Sequence, residues 1–97
     1  MSDEIYRYSF LSSVQFEDVE ASLVLALLAA ESLHGQVQVR LDAGYAADAA
    51  KRTCVIDAST PVGRDVNRLF IGFIGREFGP DSFAVERVDS LAAPVAA

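Results

Sequence analysis

The stretch Asp57-Ala58-Ser59-Thr60-Pro61-Val62-Gly63-Arg64-Asp65 carries the residues of this sequence best equipped for chemistry. An extended segment that runs directly into a helix aims unpaired backbone N–H groups and the positive end of the helix dipole at one point. The Ser59 and Thr60 hydroxyls, the backbone at Gly63 and the Arg64 guanidinium could then gather around an anion such as phosphate or a carboxylate. The same residues also have a purely structural use. Thr60 can cap the helix, Gly63 can permit close packing, and Arg64 can pair with Asp57 or Asp65. With no glycine-rich phosphate loop present, the cap is the expectation and the anion site its alternative.

Other chemistry-bearing residues are sparser. Glu31 and His34 stand at i, i+3, a spacing that places both on one helix face and occurs in carboxylate-bridged metal sites. They amount to two ligands in a chain with a single histidine, so neither a metal nor a cofactor is expected. Cys54 lies in the run Arg52–Asp57 (RTCVID) with no histidine nearby and reads as a small core residue. The loop Ser12–Phe16 has no glycine or arginine for a phosphate and no cysteine pair for a soft metal. No nucleophile stands beside a base, so nothing here is diagnostic of an enzyme, and catalysis stays an open alternative.

Composition narrows the partners. The 97 residues include 8 Lys plus Arg against 14 Asp plus Glu, a net charge of −6, with 52% hydrophobic residues. That length and apolar share suit one domain, residues 1–89, with the uncharged tail Ser90–Ala97 (SLAAPVAA) expected to fray. A sequence pI near 4.5 lacks the basic footprint that a nucleic-acid backbone requires. The lone cysteine excludes a disulfide within the chain and fits a reducing cytosol. The start Met1-Ser2-Asp3-Glu4 is acidic where a secretory signal is basic. The uncharged run Ala21–Ala30 is well short of the roughly 18 residues of a membrane span. Neither nucleic acid nor membrane is therefore expected as a partner.

The elements that must position these residues follow from periodicity. Ile5–Leu11 alternates and is rich in aromatic residues, which predicts a strand. Ser12 or Ser13 then caps a helix over Val14–Leu33, acidic in its first turns and stopped at Gly35. Gln36–Asp42 (QVQVRLD) alternates and predicts a second strand, with Val37, Val39 and Leu41 facing inward. An alanine-rich connection, Ala43–Ala50, leads to a third strand at Arg52–Asp57. Thr60-Pro61 starts a helix that runs to Phe78, where Gly79-Pro80 stops it. Ser82–Val88 alternates and supplies the last strand. The order βαββαβ predicts a ferredoxin-like plait, an antiparallel sheet of order 4-1-3-2 with both helices on one face. The other face is expected to show Ile5, Arg7, Ser9 and Leu11 beside Gln36, Gln38, Arg40 and Asp42, a mixed surface without stacking platforms for RNA.

Both helices carry apolar residues outside their core stripes. By the helical period, Leu25 and Leu28 on the first and Ile71, Ile74 and Phe78 on the second turn outward. Two helices that break pattern outward imply an interface, so the leading expectation is a homo-oligomeric interaction or regulatory module without catalysis of its own. The alternative is a small-ligand protein or enzyme whose pocket is completed by a second subunit, drawing on His34, Glu31, Arg7, Arg40 and Tyr45.

Overall fold

Aromatic side chains on one face of the first strand organise the fold. In the computed structural model, which describes residues 4–89, strand β1 (Ile5–Phe10) points Tyr8 and Phe10 into a buried cluster. Tyr8 meets Phe70 edge-on at 5.0 Å, and Phe10 packs edge-on against Phe16 at 6.2 Å. The elements that follow are helix α1 (Phe16–His34), helix α2 (Gln36–Asp42), β2 (Gly44–Asp48), β3 (Thr53–Asp57), helix α3 (Pro61–Phe78), a single 3₁₀ turn (Pro80–Ser82) and β4 (Phe83–Val88). The tail Ser90–Ala97 lies outside the described residues.

All four strands form one antiparallel sheet in the order β2-β3-β1-β4, the expected order read from its other edge. Tyr8 is paired with Cys54 and Val85, so side chains of that parity share a face. Val19, Leu23, Ala26 and Ala30 of α1 and Val62, Val66, Phe70 and Ile74 of α3 join the same core cluster as Tyr8, Cys54 and Ile56. Both long helices therefore cover one face of the sheet. No helix among the described residues is long and apolar enough to cross a membrane.

Two expectations about local structure are overturned. Gln36–Asp42 is the helix α2, and the strand lies in Gly44–Asp48, within the stretch expected to be a connection. The run VQVRL satisfies two periods at once. As a helix it places Val39 inward, 4% exposed, and turns Val37 and Leu41, four residues apart, outward at 72% and 73%. Gly35, at φ +87°, ends α1 and lets the chain begin α2 at once, its carbonyl accepting from the Val39 N–H. Gln38 Nε2 donates to Asp42 Oδ2 at 2.6 Å, an i, i+4 bond that only the helix supplies. Poor strand formers such as Ala46 and Ala47 can then serve in an edge strand, because a tight turn at 49–52 pairs it with β3.

The start of α1 is the second correction. Neither Ser12 nor Ser13 caps it: the helix begins at Phe16, with Gln15 in the cap position and no side-chain cap. The preceding loop is held instead by Arg52, which takes a left-handed φ of 57° and donates through its guanidinium to the carbonyls of Leu11 and Val14.

Candidate functional site

The N-terminus of α3 is built as the simpler sequence reading has it. The Gly63 N–H donates to Thr60 Oγ1 at 3.0 Å, and Thr60 Oγ1 in turn donates to the Asp42 carbonyl at 3.2 Å, tying the end of α2 to the start of α3. Ser59 Oγ accepts from the Glu4 N–H at 3.1 Å, and Asp57 Oδ1 accepts from the Ser59 N–H at 2.8 Å. Gly63 abuts the Asp57 carbonyl so closely that an added Cβ would lie 2.0 Å from its oxygen. Arg64 is exposed and forms neither of the ion pairs proposed for it, with Asp57 or with Asp65. The hydroxyls at this end are thus engaged in holding the chain together.

A direct test follows from that geometry. Thr60→Ala is expected to lower stability by about 0.5 to 2 kcal/mol, with Arg64→Ala close to silent. Melting temperatures with and without phosphate at constant ionic strength check it. A phosphate-induced rise in the wild type that vanishes in Arg64→Ala would instead make Ser59, Thr60, Gly63 and Arg64 an anion site.

The five polar residues nominated for a ligand pocket divide into three places. His34 Nε2 donates to Asp65 Oδ2 at 2.7 Å and links the end of α1 to α3. Arg7 lies on the uncovered face of the sheet, paired with Glu86 across β1 and β4. Glu31, Arg40 and Tyr45 do come together: with Leu27, Val39 and Ala43 they line a cleft of about 290 Å³ between α1, α2 and β2. Arg40 reaches it only because residues 36–42 are helical. On the uncovered face, Gln36, Gln38, Arg40 and Asp42 are replaced by Gly44, Ala46 and Asp48 of β2, which pair with Asp57, Val55 and Thr53 of β3.

The five residues expected to face outward also separate. Leu25 and Leu28 are 53% and 54% exposed on α1, joined by Val24 at 54%, which the sequence reading did not single out although it stands four residues before Leu28. Ile71 is 40% exposed. It occupies the flank of α3 opposite Asp65 and Glu77, whose side chains reach His34 and Ser22 of α1. Ile74 is fully buried and Phe78 is partly buried against the core. Ile74 stands four residues beyond Phe70, in the row Val62, Val66, Phe70 that α3 turns into the core cluster, so it belongs to the buried face and not to the outer patch.

Cys54 is buried in the core and its thiol is pushed up to about 12, by burial first and by the Glu20 charge second, which keeps it protonated and unreactive near neutral pH. No cluster of three or more His, Cys, Asp or Glu suited to a metal occurs among the described residues. No protein-family model, no curated protein and no solved structure matches this chain.

Proposed function

We propose that this chain is a ferredoxin-like α/β plait that works as a homo-oligomeric interaction module, joined to a second copy through the outer surface of its helical layer. The observation that carries this reading is the ridge Val24, Leu25 and Leu28, three large aliphatic side chains each more than half exposed on neighbouring turns of α1. Contiguous apolar surface of this kind is uncommon on a solitary domain.

Charge and shape favour a second copy as the occupant. Glu17, Asp18 and Glu20 make the first turns of α1 acidic. On α3, Asp65 and Glu77 reach α1, Asp65 also standing 3.9 Å from Arg68, and Arg64, Arg68 and Arg76 are exposed on the outside of that helix. Between those arginines lie Gly72 and Gly75, each with nothing within 4 Å of where a Cβ would be. Glycine within a helix costs roughly 0.5–1 kcal/mol against alanine, and no left-handed φ or close contact inside the chain calls for it here. A smooth basic strip on α3 and an apolar ridge with acidic turns on α1 are mutually complementary, and a twofold axis would use both pairs at once.

Leu25→Arg is expected to convert the oligomer to a monomer without lowering the monomer's own melting point, since the side chain is already half in water. Light scattering across a dilution series reads the mass. A wild-type chain that stays monomeric at high concentration overturns the interaction module.

A further inference from the structure

Beyond the proposed oligomer, and independent of it, the cleft between α1, α2 and β2 has the composition of a site for a small dipolar ligand. Glu31 projects from the last turns of α1, one helical turn beyond Leu27, and both line the cleft. Val39, Arg40 and Ala43 come from α2 and the residue after it. Tyr45 is cross-strand partner to the core residue Ile56, so its ring stands on the helix side of the edge strand, and it is 46% exposed.

Of the charged residues nominated for a pocket, the two in this cleft are the ones left open. Arg7 closes on Glu86 and His34 closes on Asp65, whereas Glu31 and Arg40 border the same cavity without forming an ion pair with each other. Among the described residues, the side chains of Glu31, Arg40 and Tyr45 have no hydrogen-bond partner. A carboxylate and a guanidinium held apart over an apolar floor of Leu27, Val39 and Ala43 complement a molecule that carries both charges and an aliphatic body.

We propose that this cleft binds a small zwitterion of the α-amino-acid class with an apolar side chain. Arg40 receives the carboxylate, Glu31 receives the ammonium, and Leu27, Val39, Ala43 and the Tyr45 ring cover the side chain. The size agrees: about 290 Å³ is at the lower end of small-molecule sites and too small to enclose a nucleotide. A phosphate ester is disfavoured by Glu31, which would face its oxygens, and by the presence of one cation only. A sugar would meet an apolar floor where its hydroxyls need partners.

Calorimetric titration of the full chain with L-leucine tests the assignment, with 4-methylpentanoate (no ammonium) and 3-methylbutylamine (no carboxylate) as paired probes. Saturable binding of L-leucine is expected, with both analogues and the variants Glu31→Gln and Arg40→Gln weaker by about tenfold or more. Both replaced side chains border the surface, so circular dichroism should show the variants folded. The monomeric Leu25→Arg variant should bind L-leucine as the wild type does, because every lining residue comes from one chain. Absence of binding up to about 10 mM, or binding that 4-methylpentanoate or either Gln variant matches, overturns the zwitterion site, whatever the oligomeric state proves to be.

Discussion

Gly63→Ala is expected to cost this protein at least about 3 kcal/mol, a large part of the roughly 5–15 kcal/mol that holds a small domain together. The reason is local and steric. A Cβ added at Gly63 would lie 2.0 Å from the carbonyl oxygen of Asp57 and 3.1 Å from its carbon, so backbone and not a yielding side chain opposes it. Relief requires the first turn of α3 to lift from the end of β3, and that movement would also stretch the bond from the Gly63 N–H to Thr60 Oγ1. Gly72→Ala and Gly75→Ala provide an internal comparison in the same helix. With open space at both positions, each should leave the monomer as stable or about 0.5–1 kcal/mol more stable. In the oligomer proposed above they should weaken association, which separates the two roles of glycine in one element. Urea unfolding of the three variants reads the difference, and a Gly63→Ala midpoint equal to the wild type would show that the close approach is not maintained in solution.

Phe70→Ala is expected to lower stability by about 3–5 kcal/mol. Phe70 is fully buried, stands edge-on to Tyr8 at 5.0 Å with an interplanar angle of 87°, and lies 6.5 Å from Phe10. Removing its ring opens a cavity at the junction of α3 with β1, where the flanking aromatic rings are rigid and cannot collapse into the space. Tyr8→Phe serves as the milder comparison: it keeps the ring but deletes the hydroxyl that donates to Asn67 Oδ1, and should cost about 1 kcal/mol. Burial, with smaller contributions from Cys54 and Tyr6, raises the Tyr8 pKa well above the ordinary tyrosine range, so this hydroxyl is a neutral donor at any working pH. Denaturant titration followed by circular dichroism distinguishes the two variants. A Phe70→Ala loss no larger than that of Tyr8→Phe would mean that the aromatic cluster does not anchor the helix to the sheet.

The elements legible from sequence were those whose signals are local. Thr60-Pro61 and Gly79 bracket α3 at the expected residues, because a cap hydroxyl, a proline without an N–H and a glycine at φ +89° act on their own few neighbours. Aromatic and β-branched alternation located β1, β3 and β4 to within a residue, and the crossover order carried the sheet topology with it. What tertiary structure alone decided is the fate of residues 36–42 and everything that depends on it. Val37, Val39 and Leu41 alternate as a strand would, yet Val39 with Ala43 also fits one helical face, and a run of seven residues is too short for either period to prevail. The choice rests on long-range terms: the core position available to Val39, the bond from Thr60 Oγ1 to the Asp42 carbonyl, and the pairing of Gly44–Asp48 with β3 through a tight turn. The same terms place Arg40 beside Glu31 and Tyr45, and tertiary packing likewise puts Ile74 in the core cluster. Residue types and spacing nominated the cleft's polar groups, but only the packing of α2 against α1 and β2 brought three of them to one cavity, because the relative position of distant surfaces is set by mutual burial and leaves no mark on local periodicity.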